Sequence, residues 1–209
     1  MSERSVARWL FAAALLASAV AASAGEGVVA LQTADPSCPS DSVHRYRPCS
    51  NGTVTDNQTG LVWLANASCF GQLGWHEALD AVAGLGDLEC SAAEGEECDC
   101  GLSDGSSPGE WRLPSRDEWE AMVADGIAMD CEPAITTDVG DSCWYDGCED
   151  VCFLGCVCTF YGVQSNWYWS SSPHAPNPAN VWTVQLEAGH VGTAAKTGPN
   201  YVWPVRGGQ

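Results

Sequence analysis

Twelve cysteines are the most reactive groups in this 209-residue chain. Cys148, Cys152 and Cys156 are spaced by four, and Cys156-Val157-Cys158 is a close pair. A structural zinc site would need paired C-x2-C ligands, and that spacing is missing. The even count instead reads as a disulfide framework. Carboxylates are the second group. Asp87, Glu89, Glu94, Glu96, Glu97, Asp99 and Asp104 crowd one acidic stretch. Calcium takes six to eight oxygens from such side chains, but the D-x-[DN]-x-[DN]-G spacing is absent, so a solvated acidic loop is expected. The carboxylate motifs of calcium-dependent lectins are also missing, Glu132-Pro133-Ala134 being a near miss. Gly140-Asp141-Ser142 has the form of a serine-protease nucleophile turn, yet Cys143 stands where glycine should follow. His76-Glu77 has no second histidine four residues on, which removes the zinc-protease helix. No catalytic or cofactor-binding residue is expected.

Aromatic rings remain as the chemistry of recognition. Indole and phenol faces stack on sugars and anchor interfaces at low entropy cost. Trp63, Trp75, Trp111, Trp119 and Trp169 fall on apolar faces and are expected in the core. Trp144, Tyr145, Trp167, Trp182 and Trp203 lie in or near loops and late strands and are the ligand-binding candidates.

The charge narrows the ligand. The chain carries a net charge of −19, and beyond residue 24 its only Lys and Arg are Arg45, Arg47, Arg112, Arg116, Lys196 and Arg206. Nucleic acid is bound largely through basic groups that displace counterions, so this surface repels it. Sulfated polysaccharides and anionic lipid surfaces are disfavoured alike. Residues 1–24 read as a signal peptide: Arg4 and Arg8 precede the apolar run Trp9–Ala22, and Ala22-Ser23-Ala24 is a small-residue cleavage site. That run is shorter than the roughly 20 apolar residues of a membrane span, and membrane insertion is not expected. Export places the cysteines in an oxidising compartment, where disulfides persist.

These groups need elements to hold them. Residues 25–48 show no periodicity and are expected to be an irregular lead before one domain, 49–209. Asn51–Asp56 and Leu61–Leu64 flank the turn Asn57-Gln58-Thr59-Gly60, which predicts a hairpin. Trp75, Ala78, Leu79, Val82 and Leu85 define one helical face. Ser115 and Glu118 form a capping box for a second helix with Trp119, Met122, Val123 and Ile127 inward. Val181–Leu186 and His190–Ala195 flank the turn Glu187-Ala188-Gly189 as another hairpin, and Tyr201–Arg206 closes the chain. Two helices with short antiparallel strands give an α+β class. Asn51-Gly52-Thr53, Asn57-Gln58-Thr59 and Asn66-Ala67-Ser68 fit the glycosylation pattern.

Asn51-Gly52-Thr53-Val54-Thr55-Asp56, Thr59-Gly60-Leu61-Val62-Trp63, Trp75 with Ala78-Leu79, Trp111-Arg112-Leu113-Pro114 with Glu118-Trp119, Tyr168-Trp169-Ser170-Ser171 and Val202-Trp203-Pro204-Val205-Arg206 occur in that order. Together they resemble the Lcl (Legionella collagen-like) C-terminal domain family. The resemblance implies a C-type-lectin-like fold, shared in outline with formylglycine-generating enzymes, in exported bacterial proteins whose namesake adhesin binds sulfated glycosaminoglycans. This chain lacks the collagen-like repeat, and its charge is wrong for polyanions, so that ligand is not carried over. With the sequence, the resemblance favours Cys69–Cys100 and Cys131–Cys143 as bridges. Cys90–Cys98 would close the acidic loop and Cys38–Cys49 would tie down the lead. Cys148, Cys152, Cys156 and Cys158 would then pair among themselves in three possible ways. Arg112 and Arg206 are expected to be ion-pair partners.

The expectation is a secreted, periplasmic or surface-displayed binding or adhesion module on a disulfide-stapled scaffold, without enzymatic activity. It requires no cofactor, with calcium as the one possible exception. Its partner is a neutral or cationic glycan or a protein. The alternatives are an enzyme, either of the formylglycine-generating type or a hydrolase, and a purely structural envelope protein.

Overall fold

Hydrophobic period and turn chemistry divide the described residues into two sheets and two helices. The computed structural model describes Cys38 and residues 43–86, 100–144 and 159–207. All belong to one unit, Ala34–Gln209. The signal segment, Cys90, Cys98, Tyr145, Cys148, Cys152, Cys156, Cys158 and the carboxylates Asp87 to Asp99 lie outside the described residues.

The first sheet has the order β1-β2-β3-β9, with β1 Tyr46–Pro48, β2 Thr53–Asp56, β3 Val62–Leu64 and β9 Val205–Arg206. β2 and β3 form the expected hairpin, Val54 facing Trp63. β1 lies in the stretch whose composition predicts no regular element. Its backbone is fixed by pairing with β2, Tyr46 opposite Asp56, and not by a pattern of its own.

The second sheet has the order β4-β8-β5-β6-β7, with β4 Gln72–Leu73, β5 Trp167–Pro173, β6 Asn180–Gln185, β7 His190–Ala195 and β8 Asn200–Tyr201. β6 and β7 pair over their full length as a hairpin. One contact departs from the antiparallel expectation: β8 runs parallel to β5 at Tyr168 and Tyr201.

Each helix packs on a different face of this sheet. α1, Trp75–Gly84, buries Trp75, Ala78 and Val82 in a cluster with Trp169, Val181 and Val202. α2, Arg116–Ala128, buries Trp119, Met122 and Val123 with Tyr168, Val184 and Leu186. Alternate residues of a strand point to opposite faces, so Val181 and Val184 belong to different cores. Glu77 Oε2 accepts from the Gly74 amide at 3.1 Å, completing half a capping box at α1. At α2 the box is complete: the Glu118 amide donates to Ser115 Oγ and the Ser115 amide to Glu118 Oε2. The fourth inward position of α2 is Gly126, not Ile127, which is half exposed. A Cβ on Gly126 would collide with the backbone of Ala134, so the helix end is drawn against that segment. Ile127 is turned aside onto Gly189.

Trp203 stands at the centre of the larger core. Its ring lies 5.4 Å from Trp63, 5.9 Å from Trp119, 5.0 Å from Phe160 and 5.9 Å from Tyr168. Disulfides join Cys38 to Cys49, Cys69 to Cys100 and Cys131 to Cys143. All three are among the expected pairings. Among the described residues no helix is long and apolar enough to cross a membrane.

Candidate functional site

Of the aromatic candidates, Trp144, Trp167, Trp182 and Trp203 are among the described residues and do not converge. Trp203 is fully buried and donates its indole N–H to the Leu64 carbonyl at 2.7 Å. Trp144 is buried and donates to the Phe160 carbonyl at 3.2 Å. Both are core residues, which corrects the expectation that they meet a ligand. Their nearby loops suggested exposure, but tertiary packing closes over them. The run Val202–Val205 carried the signal for this, since an uninterrupted apolar stretch is buried on both sides. Trp63, Trp75, Trp111, Trp119 and Trp169 are buried, as expected.

Trp167 and Trp182 remain partly exposed. Both lie on the five-stranded sheet, but on opposite faces, because Trp167 pairs with Gln185 and Trp182 is three residues from it. They make two separate surfaces.

On the α2 side, the Arg116 guanidinium sits 4.2 Å above the Trp182 ring. The His174 ring meets the same indole edge-on at 5.1 Å. Arg116 also pairs with Glu120 at 2.6 Å, one turn along α2. Its backbone amide donates to Ser172 Oγ at 2.9 Å, which fixes the helix start beside β5. The exposed indole face here is already occupied by a cation of the chain itself.

On the other face, Trp167, Gln185 and His190 stand in one row across β5, β6 and β7. The His190 ring lies 6.2 Å from that of Trp167, at right angles. The Trp167 ring rests over Gly192: a Cβ there would be 3.0 Å from its Cη2 and Cζ3 atoms. Gln185 Nε2 donates to Glu187 Oε2 at 2.6 Å. In the next row of this face, Thr183 is buried and its hydroxyl has no hydrogen-bond partner among the described residues. The sequence reading did not single out Gln185, Glu187 or His190. The alternation of the β6–β7 hairpin was enough to place Gln185 opposite His190.

The polar candidates fall elsewhere. The Asp104 carboxylate is engaged within the chain: buried, it pairs with Arg206 at 2.8 Å and accepts from Ser106 Oγ at 2.6 Å. Ser106 in turn accepts from the Trp111 indole at 2.9 Å, and Arg206 lies 5.5 Å from that ring. Arg112 forms a two-pronged pair with Glu118. Both arginines are therefore ion-pair partners, as expected. Burial works to raise the Glu118 pKa, but hydrogen bonds from Arg112 and Ser115 outweigh it and hold the carboxyl below its ordinary range. Ser142 Oγ is engaged by Asp141 and Thr137, each at 3.1 Å. Among the described residues no group of three or more His, Cys, Asp or Glu side chains could hold a metal.

No curated protein and no solved structure matches the chain. Residues 52–206 match the Lcl C-terminal domain, a span that runs from the turn before β2 to β9 and takes in every described strand but β1, both described helices and both tryptophan surfaces. The chain belongs to the Lcl C-terminal domain family.

Proposed function

We propose that this chain is an exported, non-enzymatic recognition or adhesion module with a C-type-lectin-like fold, acting at the cell surface or in the periplasm. The observation that carries this reading is the placement of Trp167 and Trp182. They are the described tryptophans left partly exposed, and both are held on paired strands and not on loop tips. Rings fixed in this way bind with little further loss of freedom. Three disulfides supply the rigidity expected of a small exported scaffold. The net charge of −19 directs the choice of ligand toward neutral or cationic glycans, or a protein of matching charge.

The test is a glycan array probed with the folded, oxidised chain, with and without a calcium chelator. Binding to neutral or amine-bearing glycans, unchanged by chelation, is expected. Absence of binding to every glycan would overturn the glycan reading, and absence of binding to any glycan or envelope protein would favour a structural role. Two reactive thiols in the native protein would favour an oxidase of the formylglycine-generating kind.

A further inference from the structure

We propose that Trp167, Gln185, His190 and Glu187 form a subsite for a pyranose bearing a free amine. This rests on the recognition reading above and names the ligand class for one of its two surfaces.

The α1 side of the sheet divides into two halves. Trp169 and Val181 are sealed beneath α1. The row Trp167–Gln185–His190 lies beyond that cluster, where Trp167 and Gln185 are half-buried and His190 is exposed. Gly192 gives the Trp167 ring a floor of bare backbone, and the approach is so close that a Cβ would press on the ring. The indole is thus a fixed platform with planar polar groups at its margin: the Gln185 amide, the His190 imidazole and, through Gln185, the Glu187 carboxylate. An aromatic platform rimmed by amide, imidazole and carboxylate suits a ring whose C–H face stacks while its hydroxyls hydrogen-bond outward.

The charge pattern adds the amine. The chain places its own cation, Arg116, over Trp182, the other partly exposed indole among the described residues. Among the described residues, Trp167 has no such cation. A partly exposed indole beside a carboxylate, on a protein of net charge −19, attracts a cation from solution. A bare ammonium is best held by a cage of several rings. This site offers one indole flanked by hydrogen-bonding groups, which favours an ammonium carried on a sugar.

The experiment is calorimetric titration of the full oxidised chain with a linear glucosamine oligomer and, separately, with its N-acetylated counterpart. The glucosamine oligomer is expected to bind at least about tenfold more tightly than the acetylated one, whose amine is blocked. Trp167→Ala is expected to weaken binding by about tenfold or more, and Glu187→Gln by several-fold. Asp117→Asn, which removes an exposed carboxylate on α2 away from this row, should leave binding unchanged. Thermal melting establishes that each variant is folded. Absence of binding to the glucosamine oligomer, equal binding of the acetylated one, or full binding by Trp167→Ala would each overturn the subsite. Failure of the glucosamine oligomer in these titrations, with another glycan on the array still bound by the chain, would overturn the subsite while leaving the recognition reading intact.

Discussion

Arg112 grips Glu118 with two parallel hydrogen bonds, 2.8 and 2.6 Å long, and the same guanidinium donates to the Gly207 carbonyl at 3.0 Å. One side chain thereby joins the capping box of α2 to the end of the chain beyond β9. The Glu118 carboxyl is held below its ordinary value of 4.5. A depressed folded-state value stabilises the fold above the unfolded value, and that stabilisation is lost as pH falls through the folded one. Stability should therefore decline as pH drops below about 4.5. In Glu118→Gln this slope should flatten, with a loss of about 1 kcal/mol at neutral pH from the weakened cap. Urea unfolding at a series of pH values measures both.

Arg45 is a buried cation with divided duties. It lies 2.7 Å from Asp125 and 3.6 Å from the fully buried Asp56, and donates to the Ala121 carbonyl at 2.9 Å. Arg45→Met should destabilise the domain by about 3–5 kcal/mol, chiefly because Asp56 is left charged and buried. Adding Asp56→Asn should recover part of that loss. A double variant no more stable than Arg45→Met would contradict the account.

The three bridges should differ in worth. Cys69 and Cys100 are 31 residues apart, against 11 for Cys38–Cys49 and 12 for Cys131–Cys143. Loop-closure entropy grows with the logarithm of that separation. Removing Cys69–Cys100 by paired alanine substitution should cost about 1 kcal/mol more than removing either of the others. Reduction of all bridges should abolish the thermal transition.

Two glycines in helices should respond in opposite directions. Gly126→Ala forces a Cβ into the Ala134 backbone, and overpacking of about 1–3 kcal/mol outweighs the gain in helix propensity. Gly84→Ala meets nothing within 4 Å and should stabilise by up to ~1 kcal/mol. Thermal melts of the two variants give the signs directly.

Local chemistry was readable where it decided the structure alone. The Ser115–Glu118 capping box, the β2–β3 turn and the 75/78/82 helical face all depend on neighbours within one or two turns of chain. Ile127 was misread because its burial depends on how close Gly126 brings the helix to Ala134. Trp144 and Trp203 were misread for a similar reason: the groups that cover them are far away in sequence. The Trp203 indole donates to a carbonyl 139 residues away. Of the surface residues, the half-exposure of Trp167 and Trp182 and their separation onto two faces required the register of β5 against β6.

β9 follows the other described strands in sequence, yet it pairs with β3, and Val205 exchanges backbone hydrogen bonds with Arg112. The first sheet and the Trp203 hub are therefore incomplete until residues 202–206 arrive. No amino-terminal fragment contains a finished interior, and contacts so distant along the chain make for slow assembly. A chain that emerges amino-terminus first would expose paired tryptophans and unmated strand edges throughout that wait, which makes its maturation a matter of timing as much as of stability.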